Sequence, residues 1–510
     1  MNDTALSPGV LSRRSAAIIA AYGLSMFLIG LGARELTRHE VLAAYPAKEM
    51  LRYGHWIVPM YAGIPRLLKP PTTSWFIAAS MAICRSDAAW VARLPSVAAA
   101  MAVALLIAHL AARHFGDRAG LLTGLIQLTC YYMLNWGRLA EADIFLCAFA
   151  TGAMVCFSLA TVSVEPPHGA APEGSDGANP RRAALRLGFF ALTGLSFLAK
   201  GPIGLMFIFL AVAAFAVVRR GREIARFFWS PTGWLILLVC ILGWPVAAWL
   251  SHPPIVEAWR REMSDTATGG FGTDPFYTYL HAIPFDLLPW TPLVIAGLWL
   301  LWKRGLFRRP AGQFFLCWFA PGFVALHLIA MKSHHYPMPL LPPFSIAAAV
   351  ALLELARRLR RPLIAVVSVF AGLWVAVAGV QLLVIPRFDD FKPQADFARR
   401  AAVHVPAGQR IYIIDHPDRR TTLDDPRPRP EPYVAYHLRP PIWRFRNEKE
   451  FAAFAAGRLG QTGAAIYVVA TEAQRRAIAP LGNITVLDRC AGLRRGETEM
   501  HRLLLLKIER

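Results

Sequence analysis

The chain has 510 residues, of which 55% are hydrophobic and 17% are charged, and its formal net charge is +21. The hydrophobic residues fall in runs long enough to cross a hydrocarbon layer of about 30 Å, which predicts a polytopic α-helical membrane protein rather than a water-soluble one. Because the basic residues lie mostly in short turns between these runs, as in cytoplasmic loops, we do not expect nucleic-acid binding.

The basic turns also predict how the chain crosses the membrane. Arg13 and Arg14 precede the first span and place its start inside, and no cleavage site follows, so we expect this span to be retained. Eleven crossings put every basic turn inside, and interfacial or re-entrant segments extend the range to eleven to thirteen. The predicted spans are 16–33, 89–111, 121–134, 144–162, 187–198, 203–218, 234–250, 287–302, 314–330, 340–355 and 363–385.

Two domains are predicted from the change in composition near residue 385. Residues 1–385 form the transmembrane domain, with a large first outer loop over 34–88 and a Pro/Gly-rich inner linker over 165–180. Residues 386–510 read as a small α/β domain on the outer face, with short strands near 410–415 and 465–470 and a helix over 448–459. The seven Cys show no CxxC pair or disulfide spacing and read as small core residues.

Polar residues that solvation does not explain collect at the outer ends of the predicted spans. Charges beside a membrane are costly to place, so such a set points to chemistry rather than packing. Cations can hold a phosphate leaving group, and a carboxylate can take the proton of an acceptor hydroxyl. The residues are His39, Glu40, Lys69, Arg138, Glu141, Asp143, Lys200, Lys332, His334, His335 and Tyr336.

Several of these residues stand in motifs that keep a fixed order along the chain. The motifs are His39-Glu40, Lys69-Pro70-Pro71, Glu141-Ala142-Asp143, Phe-Leu-Ala-Lys-Gly-Pro at 197–202 and His335-Tyr336-Pro337. In this order the membrane half resembles bacterial GT-C glycosyltransferases related to the aminoarabinose transferase of lipid A and to protein O-mannosyltransferases. The resemblance implies a GT-C membrane fold and transfer of a sugar from a polyprenyl-phosphate donor, usually undecaprenyl phosphate, to a lipid, glycan or protein acceptor.

The resemblance also suggests roles for individual residues. We interpret Glu40, Asp143 and His39 as catalytic, with Glu40 as the base, although the family has Asp where His39 stands. The family's Glu-Lys-Pro-Pro reads Leu68-Lys69-Pro70-Pro71 here, so a divalent metal site cannot be carried over whole and stays open. The residues assigned to the donor phosphate are Lys69, Arg138, Lys200, Lys332, His335 and Tyr336.

Simpler interpretations of the same residues stay open. Glu40 could pair with Arg34 or Arg38, and Asp143 could cap the helix that follows it. The lysines could reach towards lipid head groups. For the whole protein, the alternatives are a transporter or flippase of an anionic lipid-linked substrate, which would want cations in the membrane, and a non-catalytic assembly protein. We expect a bacterial inner-membrane protein whose site, outer domain and acceptor are periplasmic.

Overall fold

The structure is a computed structural model that describes most of the chain. The described residues are 8–61, 64–66, 69–162, 180–268, 274–389, 391–406, 408–414, 432–438, 442–445, 447–459, 465–491 and 499–509. Residues 165–179 of the predicted inner linker lie outside this part of the chain.

Helices make up the amino-terminal domain and carry the predicted spans. They are α1 Arg13–Leu28, α2 Arg38–Tyr53, α3 Thr72–Cys84, α4 Ala89–Phe115, α5 Asp117–Thr129, α6 Tyr131–Trp136, α7 Ala142–Thr161, α8 Pro180–Lys200, α9 Pro202–Arg219, α10 Arg222–Phe228, α11 Pro231–Ser251, α12 Ile255–Thr268, α13 Thr278–Asp286, α14 Thr291–Lys303, α15 Pro310–Leu328, α16 Pro342–Ala356 and α17 Pro362–Gly379. The only strands described here, β1 Met60–Tyr61 and β2 Ile64–Pro65, form a small antiparallel pair between α2 and α3.

Within the described residues, seven helices are long and apolar enough to cross a membrane. They are α4, α7, α8, α9, α11, α15 and α17 with its continuation to Phe388, and the pair α13 and α14, bent by 100°, would make eight. The predicted first, third and tenth spans coincide with shorter helices, since α1, α5 and α16 have 16, 13 and 15 residues. The multi-pass helical fold is confirmed, and the count of eleven to thirteen crossings stays a prediction.

An aromatic cluster packs the helices together near the C-terminal end of α7. The ring of Phe157 on α7 lies 5.9 Å from Phe189 on α8, 5.2 Å from Phe227 on α10 and 6.1 Å from Phe314 on α15. The Phe157–Phe227 pair is edge-to-face, the Phe157–Phe314 pair is stacked and the Phe157–Phe189 pair is tilted, and aromatic pairs stabilise a core by about 1 kcal/mol each beyond their buried area. The cluster fixes α7 and α8 side by side, and both helices carry candidate site residues at their opposite ends.

Small residues let two helices approach closely beside this core. A Cβ atom built on Gly297 of α14 would lie 1.9 Å from the carbonyl oxygen of Ala347 on α16. Only glycine allows this approach, which is the usual way in which small residues bring membrane helices together. The α14–α16 contact therefore depends on residue 297 having no side chain.

The carboxy-terminal residues form the α/β domain that the sequence predicts. Its elements are α18 Lys392–His404, β3 Ile411–Ile414, α19 Pro432–His437, β4 Ile442–Phe445, α20 Glu448–Leu459, β5 Ile466–Thr471, α21 Glu472–Ile478, β6 Asn483–Arg489 and β7 Leu503–Glu509. The sheet has the order β4-β3-β5-β7-β6, with β4, β3 and β5 parallel and β7 antiparallel to both β5 and β6. The predicted strands near 410–415 and 465–470 are β3 and β5, and α20 is the predicted helix.

A second hydrophobic core joins this domain to the first outer loop. Leu36, Val41 and Ala44 from the start of α2 pack in one buried cluster with Phe397 of α18 and Val434 of α19. Lys48 of α2 pairs with Asp87 at 2.7 Å and donates a 2.8 Å hydrogen bond to the carbonyl oxygen of Tyr436. The outer loop and the α/β domain therefore share their interior.

Candidate functional site

Helix α2 begins at a capping box that includes Glu40. The Thr37 side chain accepts a hydrogen bond from the N–H of Glu40, and the Glu40 carboxylate accepts one from the N–H of Thr37 at 2.8 Å. Reciprocal bonds of this kind satisfy two donors that the first turn of a helix leaves without partners. Glu40 therefore has a structural task at the N-terminus of α2.

The same carboxylate is the centre of a buried ion pair. Arg93 of α4 donates to it from Nε at 2.7 Å and from Nη2 at 2.9 Å, and the N–H of Ala140 donates at 3.0 Å. Glu40 is 0% exposed. Burial raises the pKa of Glu40, but Arg93 and the N–H groups of Thr37 and Ala140 outweigh this effect and hold the pKa below its ordinary value.

This geometry corrects the interpretation of Glu40 as the base. Two oxygens that accept four hydrogen bonds have no position left for an acceptor hydroxyl, and full burial keeps substrate away. The partner is Arg93 rather than Arg34 or Arg38, although the guanidinium also donates to the carbonyl oxygen of Arg34 at 2.9 Å. Glu40 positions the first outer loop against α4 and the start of α7.

Arg138 also differs from its predicted role. Its guanidinium is buried and donates to the carbonyl oxygens of Met26 at 2.8 Å and Ile29 at 2.5 Å, at the C-terminus of α1. Burial and the nearby charge of Arg93 lower the pKa of Arg138 to about 10. A cation at this end of a helix compensates the helix dipole. The structure therefore places Arg138 at the end of α1 instead of at a phosphate.

Lys332 lies apart from the other predicted cations. Its Nζ donates to the carbonyl oxygen of Ile329 at 2.8 Å, just after α15, and its N–H donates to Asp274 at 2.8 Å. His334 is exposed and its ring faces His281, with 6.3 Å between the centroids. These contacts fix the turn after α15. Lys332 therefore does not belong to the group of charged residues around Asp143 and Lys200.

Asp143 and Lys200 form the centre of that group. Asp143 stands in the first turn of α7 and Lys200 is the last residue of α8, and the two side chains form a buried ion pair. Lys200 occupies a helix end because Gly201 has a φ of +77°, a conformation that favours glycine, and Pro202 opens α9. The sequence Lys-Gly-Pro therefore presents the ammonium group at the outer end of α8.

His335 and Tyr336 enclose the ion pair from the turn before α16. The Nε2 atom of His335 lies 3.8 Å from Oδ2 of Asp143, and the Tyr336 ring lies 4.7 Å from Nζ of Lys200. Trp136 packs against the His335 ring with 4.8 Å between the centroids. Burial, and then the charge of Lys200, lower the pKa of His335 to about 3. The imidazole is therefore neutral at pH 7 beside the cation.

Lys69 and His39 approach the same group from the first outer loop. The charge of Lys69 acts on Asp143, Lys200 and His335, and no described residue forms an ion pair or hydrogen bond with its ammonium group. The charge of His39, which is exposed on the first turn of α2, also acts on His335. Lys69 and His39 therefore influence the group formed where α7 begins and α8 ends.

Glu141 belongs to this group, although no role was predicted for it individually. It is the N-cap residue of α7, but its side chain makes no capping hydrogen bond, and no described residue pairs with it. Burial, and then the charges of Asp143 and Glu40, raise the pKa of Glu141 to about 8. The Glu-Ala-Asp motif next to a predicted span is the sequence feature that indicates a functional position for Glu141.

The described part of the chain contains no group of side chains that could bind a divalent metal ion. No three His, Cys, Asp or Glu side chains there are arranged to hold a metal ion. Such ions need several oxygen, nitrogen or sulfur ligands at close range. The position of the family's second carboxylate is Leu68, which lies outside the described residues. No step below uses a metal.

Sequence comparisons find similarity to known sugar transferases. The family described as dolichyl-phosphate-mannose-protein mannosyltransferase matches residues 68–167. An undecaprenyl phosphate-alpha-4-amino-4-deoxy-L-arabinose arabinosyl transferase 2 from Proteus mirabilis is 24% identical over 391 residues, 75% of this chain and 67% of that protein. The corresponding transferase from Edwardsiella ictaluri is 27% identical over 314 residues, 59% of this chain and 53% of that protein. The chain thus aligns with about two thirds or less of the length of these relatives.

Solved structures share the fold over nearly the whole chain. The crystal structure of ArnT from Cupriavidus metallidurans bound to undecaprenyl phosphate superimposes with a TM-score of 0.77, at 18% identity, covering 96% of this chain and 97% of that one. An Archaeoglobus fulgidus oligosaccharyltransferase superimposes with a TM-score of 0.53 at 13% identity, covering 90% of this chain and 69% of that one. Identities this low show the fold alone.

Proposed function

We propose that this chain, a membrane glycosyltransferase of the GT-C type similar to the aminoarabinose transferases, transfers a sugar from undecaprenyl phosphate to an acceptor hydroxyl. The acceptor is a lipid, glycan or protein on the periplasmic face of the bacterial inner membrane. One observation carries the proposal: Lys200 pairs with Asp143 where α8 ends and α7 begins, His335 and Tyr336 lie beside the pair, and the charge of Lys69 acts on it.

The two lysines hold the donor phosphate, which is the leaving group. Negative charge develops on this phosphate as the bond to the sugar breaks, and fixed cations stabilise that charge without further rearrangement. Asp143 keeps Lys200 in place through the ion pair, and its second oxygen faces His335. The Tyr336 ring covers the ammonium group and restricts its position.

The acceptor proton requires a base that substrate can reach. His39 is exposed on the first turn of α2, one residue before the buried Glu40. It stands where the resembling family has its candidate catalytic Asp, and neutral imidazole is a common general base. We therefore assign the acceptor proton to His39 and a positioning role to Glu40. Direct displacement of the phosphate by the acceptor inverts the configuration at the sugar carbon.

A matched pair of lysine variants tests the function. Lys69→Met removes a cation of the group, and Lys332→Met removes one from the end of α15. In reconstituted membranes with radiolabelled undecaprenyl-phosphate sugars, one with 4-amino-4-deoxy-L-arabinose and one with a neutral hexose, Lys69→Met should lower transfer about 100-fold or more. Lys332→Met should stay within about threefold of wild type, since a solvent-accessible lysine contributes little.

Two results would contradict the proposal. One is equal loss in both lysine variants with both proteins folded, because the site would then extend to the end of α15. The other is a folded wild-type protein that binds undecaprenyl phosphate and transfers none of the sugars offered, which would favour a transporter. Movement of the labelled lipid between leaflets would then be the next measurement.

A further inference from the structure

Glu35 lies in the short segment between α1 and α2, and each of its polar groups has a partner from a distant part of the chain. Its N–H donates to Oδ2 of Asp389 at 2.9 Å, and its carbonyl oxygen accepts from Arg93 at 3.0 Å. One carboxylate oxygen accepts from Arg399 at 2.6 Å, and the other lies 3.4 Å from Nε2 of His437. The backbone and the side chain of Glu35 are therefore both fixed by residues far away in the sequence.

The partners of Glu35 belong to both domains. Arg93 stands on α4 of the helical domain, whereas Arg399 stands on α18 and His437 ends α19 of the α/β domain. Asp389 directly follows the last apolar helix, at the junction of the two domains. A single residue of the first outer loop is thus held from the helical domain on one side and from the α/β domain on the other.

The residues after Glu35 carry this fixed position into the first turn of α2. Leu36 is 1% exposed and packs in the core that the outer loop shares with the α/β domain. Thr37 forms the capping box with Glu40, and Glu40 is held in its buried ion pair. His39 is exposed between these two residues. Its side chain therefore stands on backbone that is fixed both before and after it.

An exposed base depends on its backbone for precise placement, because little of its own side chain is packed. Groups that take part in a reaction must be held close to the productive geometry, and neighbouring contacts provide this support. We infer that Glu35 is a positioning residue, through which the α/β domain holds the start of α2 and so places His39 for the acceptor proton. This inference rests on the proposed function. Glu35 acts through His39 and takes no proton itself.

Two adjacent arginines of α18 provide a matched test. Arg399 pairs with Glu35, whereas Arg400 pairs with Asp488 at 3.0 Å inside the α/β domain, and their side chains are 46% and 44% exposed. Arg399→Met should lower kcat about tenfold, since a small displacement of a reacting group is costly. The KM for the donor should stay unchanged, because the donor group lies on other segments. Arg400→Met should leave both constants unchanged, and equal kcat values in the two variants would overturn the inference.

A double-mutant cycle tests whether the contact acts through His39. In a His39→Asn protein, the further change Arg399→Met should cause no additional loss of kcat, because the base that the contact places is already absent. Independent effects would instead multiply. A tenfold loss from Arg399→Met in both backgrounds would therefore show that Glu35 acts on another part of the protein, and the inference would be wrong.

Hydrogen exchange keeps this test separate from the proposed function. The backbone N–H groups of residues 35–40 can be followed in the whole protein in lipid nanodiscs without any sugar donor. Faster exchange there in Arg399→Met than in Arg400→Met would support the hold on this segment even if wild type transferred no sugar. Equal exchange in the two variants would refute the role of Glu35, whether or not transfer occurs.

Discussion

Two buried ion pairs lie beside the start of α7, and they differ in how completely their hydrogen-bonding groups are used. In the Glu40–Arg93 pair, both carboxylate oxygens are occupied, and the guanidinium also donates to the carbonyl oxygens of Leu31, Arg34 and Glu35. In the Asp143–Lys200 pair, His335, Lys69 and Glu141 stand nearby, and the last two lack described partners. The hydrogen-bonding positions of the Glu40 carboxylate are all used within the protein, whereas charged groups beside the Asp143–Lys200 pair can still bind a ligand. A charged residue at a membrane face is therefore a site candidate only after its partners have been counted.

Breaking the complete pair should have the largest effect on stability. Arg93→Ala leaves the carboxylate of Glu40 buried without its cation, and such changes destabilise proteins by about 3–5 kcal/mol. Thermal unfolding in detergent, compared with wild type, measures the loss. Arg118→Ala, in an exposed residue of α5, serves as the control. Unchanged stability of Arg93→Ala would mean that the network is not required for the fold.

Neighbouring residues on α2 should separate activity from stability. His39→Asn removes the proposed base from an exposed position, so we expect transfer to fall about 100-fold with the melting temperature unchanged. Glu40→Gln keeps the shape but weakens the buried pair, so its main effect should be a lower melting temperature. Transfer assays and thermal unfolding on both variants check this. The assignment fails if folded Glu40→Gln is the slower of the two.

Much of the helical fold and the group of site residues follow from the sequence, because long apolar runs and motifs in fixed order are local features. The role of Glu40 did not follow, since Arg93 lies 53 residues away and contacts it only after folding. Thr37 and Glu40 do have the spacing of a capping box, which pointed to a structural role. Arg138 was misread for a similar reason, because the helix end that it binds is more than 100 residues away.

The capping box itself should account for a smaller part of the stability. Thr37→Ala removes the hydroxyl that accepts the N–H of Glu40, and losing such a cap costs about 1 kcal/mol. Thr37→Ser keeps the hydroxyl and should restore most of the loss. Denaturant unfolding of both variants provides the comparison. Equal loss in Thr37→Ser would show that the methyl group, rather than the hydrogen bond, is what matters.

The smallest effect concerns the contact of α2 with the α/β domain. Burial raises the pKa of Glu35, but hydrogen bonds from His437 and Arg399 outweigh it and lower the pKa to about 2. A lowered carboxyl pKa stabilises the folded contact above the ordinary pKa, and this stabilisation is lost as pH falls from about 4.5 to about 2. Hydrogen exchange of α2 should therefore accelerate over this pH range in wild type. Glu35→Gln should show fast exchange already at neutral pH and little further change.

The core that α2 shares with α18 and α19 sets an order of events during synthesis of the chain. Leu36 and Val41 leave the ribosome early, yet their packing partners Phe397 and Val434 are among the later residues to be made. Until those residues arrive, α2 is covered only by earlier members of the same buried cluster, such as Tyr61, Ile77 and Val91. The segment around α2 therefore gains its last packing partners more than 350 residues after its own synthesis. A chain interrupted before the α/β domain would be an incompletely folded substrate for quality-control proteases.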